Sequence, residues 1–338
     1  MVKLGDVINV HYGKALKADQ RVSNGSVHVF GSSGIVGNHD KTLCSYPTII
    51  IGRKGSVGAI TWAPDGGWII DTAYYVEIKD NNKLDLRYLF YILSGIDLTK
   101  KTITTSIPGL NRDDLYDTFI KLPPFEEQKR IVDLLDKAEG IRQKREQAIK
   151  LADDFLRAKF LEMFGTPANN IHRFPKGTIR DLVDSVNYGT SAKASIDSGE
   201  YPILRMGNIT YQGRWDFTDL KYLDLSVKEK DKYLVKEGDL LFNRTNSKEL
   251  VGKTAVYEED RPMAFAGYLI RVRPNSIGNN YYISGYLNSI HGKITLMNMC
   301  KSIVGMANIN AQELQNIEIL IPPKHLQDEY EIIYKKIK

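Results

Sequence analysis

Apolar residues along this chain follow two rhythms. Over most of the length they come as short β-branched and aromatic runs bounded by glycine or charge. Tyr46–Ile51 and Gly67–Ile78 predict strands, and Leu86–Ser94 and Ile283–Ile290 predict short helices. Across 125–163 the spacing lengthens to three or four, with Ile131, Leu134, Leu135, Ala138, Ile141, Ala148, Ala152, Phe155 and Leu156 in series, interrupted by Arg145. Pro123-Pro124 can open a helix there, and Glu126-Glu127 suit the positive end of its dipole. Phe164-Gly165-Thr166-Pro167 stops it. At 1.5 Å per residue this helix spans roughly 58 Å, comparable to about one to two turns of duplex DNA. The stripe is narrow and rich in alanine, so a partner helix could pack closely. Gly140 is its weak point, costing about 1 kcal/mol against alanine.

The short-run regions form a repeat. Lys3-Leu4-Gly5-Asp6-Val7-Ile8 followed by Tyr12-Gly13-Lys14 resembles Thr178-Ile179-Arg180-Asp181-Leu182-Val183 followed by Tyr188-Gly189-Thr190. Each copy closes on an apolar strand and two prolines, Phe119 to Pro124 and Glu318 to Pro323. Ile49-Ile50-Ile51-Gly52-Arg53-Lys54-Gly55 likewise resembles Leu240-Leu241-Phe242-Asn243-Arg244-Thr245-Asn246, a buried-type strand entering a polar turn. The second copy is longer, chiefly after its first third, as expected if a shared frame folds and its loops recognise. The predicted class is α+β: two similar domains, each a curved antiparallel sheet plus helices, at 1–124 and 165–323. A spacer helix occupies 125–164 and a short C-terminal helix 324–338.

Charge adds little to that picture. The net charge is +5, and the excess lies on the two domains, since residues 125–163 carry equal numbers of basic and acidic side chains. Cys44 and Cys300 sit in different domains, which implies no disulfide framework and fits a reducing cytoplasm. No run is long enough to cross a membrane.

Catalytic patterns are missing. Gly31-Ser32-Ser33-Gly34 has the wrong spacing for a dinucleotide fold, and Gly52-Arg53-Lys54-Gly55-Ser56-Val57-Gly58 lacks the ending of a phosphate loop. In Leu122-Pro123-Pro124-Phe125 a leucine stands where an amino-methyltransferase needs a polar acceptor. The histidines and cysteines show no metal-ligand spacing. No metal and no cofactor are expected.

Ser106-Ile107-Pro108-Gly109-Leu110-Asn111, then Leu122-Pro123-Pro124-Phe125-Glu126-Glu127-Gln128-Lys129-Arg130-Ile131-Val132, then Ile141-Arg142-Gln143-Lys144-Arg145-Glu146-Gln147-Ala148 and Phe164-Gly165 strongly resemble the specificity (S) subunit of type I restriction-modification systems. The resemblance covers essentially the whole chain. It implies two target-recognition domains, each reading one half of a bipartite double-stranded DNA site, and helices that set the spacing and dock two methyltransferase subunits. Restriction subunits join through the complex, and methylation and cleavage belong to partner chains. One departure stands out. Lys324-His325-Leu326-Gln327 matches Phe125-Glu126-Glu127-Gln128 only loosely and about 15 residues follow, so most of the helix stripe is expected to lack a partner within this chain. A second copy or a methyltransferase subunit could cover it.

Phosphate contacts position a protein on DNA and base-edge contacts specify sequence, with Arg and Lys suited to guanine and Asn and Gln to adenine. In the first domain the expected DNA-binding residues are Arg53, Lys54 and Ser56, with Lys14, Ser32, Ser33 and Asn111 nearby. In the second they are Arg244, Thr245, Asn246 and Lys248, with Thr190, Arg205 and Asn208. Ile131, Leu134, Ala138, Ile141, Ala148, Ala152 and Phe155 are the expected helix-packing positions. Two competing classes remain: a non-catalytic coiled-coil protein-interaction module, and an enzyme built from residues distant in sequence.

Overall fold

The computed structural model describes residues 1–101, 109–247, 249–303 and 306–338, so the motif residues Ser106, Ile107 and Pro108 and the candidate Lys248 lie outside the described residues. The chain forms two compact units, Met1–Lys144 and Arg145–Lys338.

In the first unit, Val2–Lys3 pairs antiparallel with Phe119–Ile120, so the strand before Pro123-Pro124 closes on the unit's own beginning. A four-stranded antiparallel sheet follows the order Ile8–Tyr12, Ala73–Ile78, Thr48–Gly52, Ile60–Ala63. A smaller sheet runs Gly34–His39, Val27–Gly31, Trp68–Ile69. Its last pairing is parallel, beside the expected antiparallel main sheet. Thr48–Gly52 is buried throughout because both of its faces are covered. Ile49 and Ile51 pack with Tyr88, Leu89 and Leu93 of the helix Leu86–Ser94, whereas Ile50 packs with Phe30 and Ile69. An unbroken run of apolar residues is what such a strand requires.

The second unit repeats this plan. Lys176–Thr178 pairs with Glu318–Leu320, and the main sheet runs Val183–Tyr188, Leu269–Pro274, Leu240–Asn243, Thr254–Val256. The smaller sheet is Lys221–Leu223, Tyr201–Leu204, Ala264–Phe265, again with one parallel pairing. Additional residues between Leu204 and Leu240 build the turn Met206–Asn208 and the helix Val227–Tyr233. The expected helix Ile283–Ile290 is in fact two helices, Asn280–Asn288 and Ile290–Met299. Ser289 adopts an extended backbone, and its hydroxyl accepts from Gly292 N–H at 3.1 Å, so the residue that interrupts one helix caps the next.

The helix Phe125–Phe164 is continuous, and Gly165 (φ +68°) ends it with its N–H donating to Leu161 O at 2.9 Å. At its start Gln128 is fully buried, donating to Lys83 O (2.7 Å) and Pro123 O (2.9 Å) and accepting from Asp85 N–H (2.9 Å). The helix Lys324–Ile337 begins the same way. Fully buried Gln327 donates to Ile277 O (2.9 Å) and Pro322 O (2.8 Å), so the loose sequence match hides a close structural one. Of the expected packing positions, Ile131 lies against the first core, and Ala152 is half-buried. Leu134, Ala138, Ile141, Ala148 and Phe155 are exposed. The buried residues are the next in register: Leu156, Phe160 and Phe164 enter the second core. Phe160 stacks on Tyr282 (5.6 Å between centroids) and meets Tyr330 edge-on (5.3 Å). A Cβ on Gly285 would lie 2.6 Å from the Phe160 ring, so glycine permits this approach.

Phe160→Ala should destabilise the second unit by about 3–5 kcal/mol in urea unfolding, while Leu134→Ala should stay within about 0.5 kcal/mol. Equal effects would contradict the described packing.

Candidate nucleic-acid interface

In the first unit the turn after Gly52 is closed by Gly58 N–H donating to Gly52 O and Gly52 N–H donating to Ala59 O, each at 2.8 Å. A Cβ on Gly52 would fall 2.0 Å from Ser56 O and 2.8 Å from Ser32 O. Only glycine lets the turn and the neighbouring hairpin tip approach so closely. The predicted residues Ser32, Arg53, Lys54 and Ser56 are therefore gathered at one end of the sheet.

Arg53 is held on every side. Its N–H donates to Thr72 O (2.9 Å), its carbonyl accepts from Leu110 N–H (3.0 Å), and its Nη1 donates to Asp71 O (3.1 Å). Its guanidinium lies 5.0 Å from the Tyr12 ring centre, and that of Arg112 lies 5.3 Å from the same ring. Tyr74 packs edge-on against Tyr12, and burial pushes the Tyr74 hydroxyl up to about 12, so it stays protonated and donates to Leu110 O. Lys54, Ser56 and Ser33 are exposed, as is Lys14, whose backbone is pinned by Ile69 O and the Trp68 indole. Asn111 accepts from Asp113 N–H at 3.2 Å and caps the helix Arg112–Tyr116.

The second unit reproduces the backbone bonds of this setting. Arg244 N–H donates to Tyr268 O (3.0 Å), its carbonyl accepts from Ile309 N–H (2.9 Å), and its guanidinium sits 5.0 Å from the Tyr188 ring centre. Asn243 N–H donates to Lys253 O and Gly252 N–H to Asn243 O, matching the closure of the first turn. Tyr12 and Tyr188 were not among the expected site residues. Their signal was the Tyr-Gly pair common to both copies, which spacing arguments used only as an alignment mark.

Beside the second turn lies a cleft of about 880 Å³. It brings together Thr190, Arg205 and Asn246 of the predicted set with Lys193, Lys221 and Lys253. Among the described residues no carboxylate lines it. Asp219 reaches Arg205 at 2.8 Å from a largely exposed position. Three predicted residues turn inward. Thr190 is buried and its Oγ1 accepts from Ala192 N–H; Thr245 is buried in a short strand paired with Met306–Asn308. Asn208 is buried, accepting from Arg205 N–H (2.9 Å) and donating to Asp216 O (2.8 Å) and Asp219 O (3.0 Å). It organises the loop that carries Arg205. Among the described residues no group of side chains is arranged to hold a metal ion, and no helix is long and apolar enough to cross a membrane.

Residues 1–151 and 174–336 match the family model described as the type I restriction modification DNA specificity domain. Among curated proteins, the type I restriction enzyme EcoKI specificity subunit of Escherichia coli K12 is 26% identical over 225 residues, covering 62% of this chain and 48% of the relative. The StySPI specificity subunit of Salmonella potsdam is 27% identical over 232 residues, covering 63% and 49%. The chain thus spans about half the length of these relatives. A solved structure of a type I restriction-modification system S subunit from M. genitalium shares the fold, with a TM-score of 0.69 and 14% identity over 99% of this chain and 88% of the other.

Asn208→Ala should cost on the order of 2 kcal/mol or more, because it strands buried polar groups, whereas exposed Lys193→Ala should stay within about 0.5 kcal/mol. Urea denaturation of the two variants distinguishes a loop-organising Asn208 from a dispensable surface residue.

Proposed function

The chain belongs to the type I restriction modification DNA specificity domain family, and from that premise we propose that it is a DNA sequence-recognition and scaffolding subunit. Each unit reads one half of a bipartite double-stranded target. The observation that carries this reading is the duplicated arginine: Arg53 and Arg244 stand at the same corner of the corresponding sheet in each unit, with the same backbone bonds and an exposed tyrosine beneath the guanidinium. An arginine pre-ordered in this way loses little rotamer freedom on meeting a guanine edge or a phosphate. Lys14, Lys54, Ser33 and Ser56 in the first unit, and Arg205 and Asn246 in the second, supply the surrounding contacts.

The long helix links the two readers and sets their spacing. Its exposed apolar positions, Leu134, Ile141 and Leu151 among them, suit the docking of methyltransferase subunits, two per complex, or self-association. Restriction subunits join through that assembly, which is cytoplasmic. The chain carries out no reaction of its own: modification and cleavage belong to its partners.

Arg53→Ala should weaken binding at one half-site by about 1–3 kcal/mol, roughly five- to 150-fold, and Arg244→Ala should do so at the other half. Quantitative binding to duplexes altered in one half at a time checks this. Equal loss across both halves from either substitution would refute modular reading.

A further inference from the structure

Lys253 occupies the exit of the second turn, where the first unit has Ala59. Asn243 N–H donates to Lys253 O at 2.8 Å just as Gly52 N–H donates to Ala59 O at 2.8 Å. The lysine is only 7% exposed, and among the described residues its ammonium meets a single acceptor, Met206 O at 2.8 Å. Among the described residues no carboxylate offsets its charge, and burial alone lowers its proton affinity. That is an unusual state, since buried charges are ordinarily paired and their desolvation costs several kcal/mol in order of magnitude.

The surroundings sharpen the imbalance. Lys293 lies close by, its Nζ buried without a hydrogen-bond partner and 4.9 Å from the Tyr211 ring centre. Burial first, then repulsion from Arg157 and Lys253, holds this second ammonium down at about 8. Toward solvent, the cleft that Lys253 lines also carries Lys193, Arg205 and Lys221, and among the described residues only Arg205 is met by an acid, Asp219.

We infer that Lys253 forms the floor of an anion site in the second unit, built for a phosphodiester group of nucleic acid and without counterpart in the first. The inference rests on the DNA-reading function above and deepens it. A neutral base-edge acceptor would repay little of the cost of a desolvated ammonium, whereas a full negative charge repays it and also relieves the repulsion with Lys293. The two readers are therefore unequal: the second grips the backbone more firmly.

The test measures binding of the full-length chain to a mixed-sequence duplex across a salt series. Lys253→Met should lower the slope of log K against log salt by about 1 and weaken binding roughly fivefold at 0.15 M salt. Lys253→Arg should retain the slope. Should the methionine variant not fold, Lys253→Gln supplies the neutral side chain. An unchanged slope with relaxed preference at one base pair would overturn the inference in favour of base reading. Wild-type binding by the neutral variants would also overturn it, and if Arg244→Ala still weakens binding the DNA-reading function survives. No salt-dependent binding by the wild-type chain would defeat both.

Discussion

Everything in this fold depends on how each unit is joined to the helix that leaves it. After a closing strand and two prolines, one glutamine enters the interior and hydrogen-bonds the loop ahead of an earlier core helix: Gln128 to Lys83 O and Gln327 to Ile277 O. Each buried amide donates to two carbonyls, and that of Gln128 also accepts from Asp85 N–H, so this side chain favours one orientation of the helix's first turn against its unit. The loop that it binds also caps a core helix, through Asp85 in one copy and Asn279 in the other. Strand closure, helix entry and core packing are thereby coupled through one polar contact repeated in both copies.

The same economy holds at the opposite end of each sheet. The arginine corner is fixed by backbone bonds that are indifferent to side-chain identity, so the flanking loops are free to differ. Between Leu204 and Leu240 the second unit uses that freedom to add the Arg205 loop, organised from within by Asn208, and with it a cationic cleft. A constant frame with a constant arginine and variable surroundings suits the proposed reading of two different half-sites.

Much of this was legible in the sequence, and the failures have physical causes. The duplication, the helix Leu86–Ser94 and the long helix ending at Gly165 were readable because local patterns dictate them. The split at Ser289 was hidden, because a serine within an apolar helical stretch signals a break only once its backbone is seen to be extended. The parallel pairing of Trp68–Ile69 with Val27–Gly31 is non-local and leaves no periodic trace. Gln327 was undervalued because its neighbours differ from those of Gln128, although its burial is the same. Thr190, Thr245 and Asn208 are buried, which their polar character did not announce. Their burial, and the inward bonds of Thr190 and Asn208, follow from the folded loop and leave no mark in the sequence. Lys253 had no signal at all, since a lysine in a loop is ordinarily solvated.

The central claim is that two readers act as one device with a set separation. Its most direct test is selection of bound duplexes from a random-sequence library, with the chain assembled with a methyltransferase partner at moderate salt. The account predicts two short defined blocks around a constant gap. A single block, or two blocks with a variable gap, would contradict it.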